Sequence, residues 1–258
     1  MAGNPAIAPC PSKFISSQVL PRDTFRPDHT SASQTRHSQL RSHPSSHLIL
    51  DIFVPPSTLA ANMSSSIIET IPIDHVPADH VVHVAFVKEI ENAAFLHQQL
   101  LDRNADFEYA LIDASVAVSR THILAAAFKA VTAKVDGSLK TPNVHSELVA
   151  SLSSANNIAE AYRRYGISPS TKDVIVVKIT SPSGPPSAQD VEQHLKDNFQ
   201  GTPTPFTDES IATSTDWAKV RKYYKLNGLA WLDAIKDEAE RREQLETLVL
   251  GAMALRTA

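Results

Sequence analysis

The sequence has a single cysteine, Cys10, among 258 residues. That excludes a disulfide framework and a cysteine-rich metal site, and it fits a reducing compartment. Glycine is nearly as scarce: seven residues, no two of them close together. Neither G-x-G-x-x-G nor G-x-x-x-x-G-K-[ST] occurs, so no glycine loop can bring backbone N–H groups up to a phosphate, and nucleotide hydrolysis is not expected. No G-x-S-x-G turn is present to expose a nucleophilic serine. No apolar run approaches the roughly 20 residues that span a bilayer. The longest, Leu245 to Leu255, is interrupted by Glu246, Thr247 and Gly251 and reads as a core helix, so no membrane contact is expected. The net charge of -4 excludes a uniformly basic surface, though not a local basic face.

At 42% hydrophobic and 20% charged, the composition is that of an ordinary globular chain. It is not uniform. Residues 1–62 are rich in Ser, Pro, His and Arg, and their apolar residues have no period. Such a stretch buries too little surface to offset its ordering entropy and reads as a disordered extension. Its Arg and Ser content resembles a mitochondrial transit peptide, but Pro5, Pro9, Pro11, Pro21 and Pro27 would break the amphipathic helix such a signal needs. Met63-Ser64-Ser65-Ser66 reads as an alternative start. Either the extension is disordered or translation begins at Met63, and the folded domain is expected over 63–258.

Within that domain the pattern predicts strands at 67–73, 80–87, 107–112 and 173–179. On the second, Val82, Val84 and Phe86 share one face and His83 takes the other. Helices are expected at 92–103, 119–133, 187–199, 215–226 and 231–255. The helix after Ser119 carries a small-residue face, Ile123, Ala126, Ala127 and Ala130, that would let another helix come close. The segment 201–205 reads as a loop. The result is one α+β domain, a small mixed sheet packed with about seven helices.

The densest local signals lie at 140–167. Thr141-Pro142 reads as the start of a helix with Val144, Leu148 and Leu152 at helical spacing. Asn157 and Glu160 fit an N-x-x-E capping box for a second helix, with Ile158, Ala161, Tyr162 and Tyr165 on its buried stripe and Gly166 as its stop. Arg163 and Arg164 fall off the stripe. Two short tandem helices form a presentation surface, so binding is the expected function. The cations Arg120, Lys129, Lys134, Lys140, Arg163 and Arg164, with His145 and Tyr165 near, could line one groove suited to a single-stranded nucleic-acid end. Asn143, His145 and Glu147 are the one combination an enzyme could use. His145 and Glu147 diverge by about 200° on a helix and make no acid–base pair, and a capping role for Asn143 and Glu147 is preferred. Around Asp74, His75, Asp79, His80 and His83 the two strand histidines face opposite sides, so no metal site is expected.

The run FEYALIDASVAVSRTHILAAAFKAV, followed by LKTPNVHSELVASLSSANNIAEAYRRYGISPSTKDVIVVKI, resembles the Cgi-type subunit of the EKC/KEOPS complex, the PRPK-binding (TPRKB) family of animals. The matching positions are the A-L-I-D-A strand end, Ser119, then Lys140, Thr141, Asn143, Ser146 and Glu147, the block from Asn157 to Ala161, Arg164 to Ile167, and the strand after it. The resemblance covers roughly Ile67 to the C-terminus and leaves residues 1–62 without a counterpart. It implies a non-catalytic subunit without cofactor or metal. Such a subunit binds the atypical kinase/ATPase subunit directly and sits in one complex with the threonylcarbamoyl transferase subunit and the others. It also implies support for threonylcarbamoyl-adenosine formation in tRNAs reading codons that begin with A, docking of the tRNA CCA end, and links to telomere maintenance and transcription. A nuclear, telomere-associated and also cytoplasmic location follows. The RNA-facing residues are then expected to be Lys140, Arg163, Arg164, His145 and Arg120, giving weak, salt-sensitive tRNA binding. Part of Ile123, Ala127, Leu148, Leu152, Ile158 and Tyr162 is expected to surface as the kinase interface. A free-standing small-molecule enzyme using Asn143, His145 and Glu147 is the competing reading.

Overall fold

A computed structural model describes residues 66–75, 80–181 and 184–256, all within one compact unit. The expectations for residues 1–62 lie outside the described residues. The sheet is built on β2 (Val81–Lys88) and β4 (Val174–Thr180), which pair in register from Val81↔Thr180 to Val87↔Val174. Both read as almost unbroken apolar runs because helices cover both faces of the sheet. β3 (Ala110–Asp113) lines the far side of β4, while β1 (Glu69–Ile71) and β5 (Thr202–Thr204) share the other edge of β2 end to end. Every ladder is antiparallel, where a mixed sheet was expected. The outer edge of β3 is not left open. Ile112 bridges to Gly166, and Ile167 donates its N–H to the Leu111 carbonyl at 3.0 Å.

Two hydrophobic clusters follow from strand alternation. On one face Ala85, Val87, Leu111, Val174 and Val176 pack under α1 (Ala93–Leu101) and α5 (Ala188–Asn198). On the other, Val82, Val84, Phe86, Ile112, Ile175 and Val177 meet the larger helical layer. That layer holds α2 (Arg120–Val135), α3 (Val144–Ser151), α4 (Ile158–Tyr165), α6 (Asp208–Ser214), α7 (Trp217–Tyr223), α8 (Ala230–Asp233) and α9 (Glu238–Leu255). The small-residue face of α2 does what its composition suggests: Ile123, Ala126, Ala127 and Ala130 are fully buried, and α3 packs against α2.

Four local expectations differ. Asn143, not Thr141, caps α3, because its carboxamide accepts the Ser146 N–H at 2.8 Å. α4 has half a capping box: Asn157 accepts the Glu160 N–H at 3.0 Å, but the Glu160 carboxylate turns to Arg163 and Arg164 instead of back to the cap. α5 has the full box between Ser187 and Asp190. The stretch 231–255 is two helices, broken where Asp237 caps α9, and 201–214 holds β5 and α6, where no structure or only a loop was expected. Gly166 does end α4, for a steric reason: a Cβ there would lie 2.7 Å from the Tyr162 carbonyl oxygen.

Candidate functional site

The tandem helices α3 and α4 sit where the C-terminal ends of α2 and α9 converge. Lys129 on α2 donates to the Met253 carbonyl on α9 at 2.6 Å. Arg256, the C-terminal cap of α9, donates to the Ala150 carbonyl of α3 and, at 3.2 Å, to Asn156 Oδ1 before α4. Tyr224 donates its hydroxyl to the Leu152 carbonyl. Distant side chains thus reach carbonyls at the C-terminal ends of α3 and α9, where intrahelical partners are few. Glu147, buried, accepts from the Lys140 N–H and the Thr141 hydroxyl, both at 2.9 Å, which fixes the turn into α3. Tyr162 on α4 lies near Ser146 and Thr141, and its phenol is pushed up mainly by burial. Lys129 is held below its ordinary value first by burial, then by the like charges of Arg256 and Lys140, so these three cations share one neighbourhood.

This end of the molecule also exposes large apolar groups: Phe128 and Val135 on α2, Tyr162 on α4, and Leu255 at the end of α9. Exposed apolar side chains on the same helices as Lys129 and Arg256 are the kind of surface that can take up a protein partner. The three polar residues considered for an enzyme are each engaged elsewhere. Asn143 is spent as a cap and Glu147 on the turn. His145 is buried with its Nε2 accepting the Ile179 N–H at 3.0 Å, so its Nδ1–H points at Glu108 Oε1, 3.4 Å away. Burial holds that imidazole below its ordinary pKa, hence neutral. The three side chains face three different partners and do not converge. Among the described residues no cluster of metal-ligating groups exists. His83 is buried between Thr70 and Thr180 hydroxyls at 2.9 and 3.1 Å.

Several expected site residues are therefore reassigned. Ile123, Ala127, Leu148 and Leu152 are completely buried and cannot line a surface, because α2 and α3 pack on each other and on the sheet. Ile158 is half-buried and Tyr162 exposed, so of the six only these reach the surface. His145 is sealed off and cannot meet RNA. Arg120 opens α2, fifteen residues or about 22 Å of helix from its far end. There it is engaged by Glu69 at 2.7 and 2.8 Å and stacks 4.8 Å over Phe206, so it does not join Lys140 in one groove. Lys140 is exposed, and Arg163 projects with 74% of its side chain exposed. Arg164 is drawn back to Glu160 and lies 4.9 Å over the Tyr223 ring. Arg256 and the exposed Phe128, Val135 and Leu255 were not foreseen. They lie on helix ends whose meeting with α3 is a long-range fact that no local pattern carries.

The profile of the family described as "Kinase binding protein CGI-121" matches residues 87–257. Among similar proteins, the EKC/KEOPS complex subunit CGI121 of Gibberella zeae is 58% identical over 193 residues, spanning 73% of this chain and 98% of the relative. The EKC/KEOPS complex subunit cgi121 of Neurospora crassa is 49% identical over 203 residues, spanning 73% and 98%. The Schizosaccharomyces pombe protein of the same description is 30% identical over 146 residues, spanning 57% and 82%.

Proposed function

Because this chain belongs to the CGI-121 family of kinase-binding proteins, we propose that it is a non-catalytic adaptor of an EKC/KEOPS-type complex. It docks directly on the atypical kinase/ATPase subunit and sits with the threonylcarbamoyl transferase subunit in one assembly. Its activity there supports threonylcarbamoyl-adenosine formation in tRNAs reading codons that begin with A. The observation that supports this reading best is the set of exposed large apolar side chains on α2, α4 and α9, with Lys129, Lys140 and Arg256 gathered where α2 meets α9. Kinase docking uses Phe128, Val135, Tyr162 and Leu255. Lys140, Arg163 and the Lys129–Arg256 pair meet tRNA phosphates beside it, and the CCA end is the part of tRNA that reaches this face. Roles in telomere maintenance and transcription, and a nuclear as well as cytoplasmic location, belong to the same proposal. The test is co-purification of the kinase subunit with the wild type and with a Phe128→Glu, Leu255→Glu double variant. The variant should keep the wild-type circular dichroism and lose the kinase, since both side chains are exposed in the free protein. A folded variant that retains the kinase at unchanged affinity would move the interface elsewhere.

A further inference from the structure

A second site lies near the other end of α9, some fifteen residues, or about 22 Å of helix, from Arg256. Between α7 and the start of α9 is a cavity of about 400 Å³ whose lining includes Trp217, Arg221, Asn227, Glu238, Arg241 and Arg242. Its volume falls in the range of small-ligand pockets. Three arginines and one glutamate line it; Arg242 is paired with that glutamate, Glu238, and Arg221 with Asp233, so Arg241 is the cation left over and the cavity is net positive. Arg241 is half-buried and has no acidic partner among the described residues, so an incoming oxyanion would find a guanidinium free to pair with it. Arg242 lies 5.7 Å over the ring of Trp217, which is itself half-buried against the core. That stack presents a flat, cationic surface, and Asn227 adds an amide able both to donate and to accept.

A lone carboxylate would use only the charge of this cavity. A nucleotide would use all of it: the phosphate on Arg241, the base stacked on the Trp217–Arg242 platform, and a base edge on Asn227. We propose that the α7–α9 cavity is a binding site for a nucleoside monophosphate unit, free or as part of a single strand. Nothing in it hydrolyses the ligand, and the site stands whether or not the Lys140 face binds tRNA. The test reads the fluorescence of Trp217 in a Trp231→Phe background, since these are the two tryptophans of the chain. AMP, a short oligoadenylate, inorganic phosphate and a polyglutamate peptide are titrated in turn. AMP should quench Trp217, and Arg241→Gln should weaken that binding about tenfold without changing the fold. Quenching by AMP alone identifies a free nucleotide as the ligand, and quenching by AMP and the oligonucleotide identifies a strand. Equal quenching by the glutamate peptide, no quenching by AMP at millimolar concentration, or indifference to Arg241→Gln would each overturn the proposal.

Discussion

Leu148 and His122 show how much burial decides at the scale of single residues. Leu148 is fully buried between α2 and the sheet. A glutamate there would place an unpaired charge in a dry core, and Leu148→Glu should prevent folding, whereas Leu148→Ala should cost about 2–5 kcal/mol in denaturant unfolding. A folded Leu148→Glu protein would contradict the packing. His122 is buried with its Nδ1 accepting the Val118 N–H at 3.2 Å, so its Nε2–H donates to Tyr224, whose hydroxyl continues to Leu152. Burial pushes its pKa down to about 3, and burial also lowers those of His83, His145 and His194. The folded values lie below the unfolded value near 6.5, so the stabilisation is complete above that pH and is lost as pH falls. Between about pH 6.5 and 3, His122 alone should give a slope of about 1.4 kcal/mol per pH unit. Unfolding midpoints measured across that range should decline with acid, and His122→Gln should flatten the decline. An unchanged acid limb in that variant would show that His122 is not its source.

At the scale of elements, the sequence was most legible where a local rule has one answer. The start of α2 after Ser119, the capping residue Asn157 (though not the Glu160 half of its box) and the alternation of β2 are local chemistry, and they stand as read. The helical stripes of α2 and α3 were legible as stripes, but their reading as part-exposed failed. A stripe fixes which side of a helix is apolar, not what covers it, and α9, arriving more than a hundred residues later, helps complete the cover of α2. β5 was missed because it is three residues long, with Pro203 in its middle, and is held only by pairing to the edge of β2. α4 carries the element-scale prediction. The Arg163 and Arg164 guanidiniums hold Glu160 below its ordinary value, and its one negative charge offsets half of their positive charge. Glu160→Gln would free two cations on the proposed RNA side of the molecule. tRNA affinity by filter binding should rise and depend more steeply on salt, because more counterions are released on binding. Unchanged affinity and slope would place Arg163 and Arg164 outside the RNA path.

For the whole molecule the question is whether one end serves two partners. The apolar groups proposed to meet the kinase lie on α2, α4 and α9, and the cations Lys129, Lys140 and Arg256 gather where α2 meets α9. The candidate site was only partly legible because Lys129 meets Met253 there, and no periodicity links positions so far apart. The arrangement has a consequence that a dispersed one would not have. Apolar contact with the kinase is insensitive to salt, while phosphate contact is strongly weakened by it. Raising ionic strength should therefore strip tRNA from the chain and leave the kinase bound, and Lys140→Glu with Arg256→Glu should lower tRNA binding while kinase recovery stays near the wild-type level. Arg256 also holds the Ala150 carbonyl, so the Lys140→Glu single variant serves as the control that keeps this helix end intact. Intact tRNA should bind better than tRNA lacking its CCA end. Equal binding of the two forms would leave a general basic face and remove end recognition. Loss of both partners together on Lys140→Glu would mean that the kinase reads the cations as well as the apolar groups.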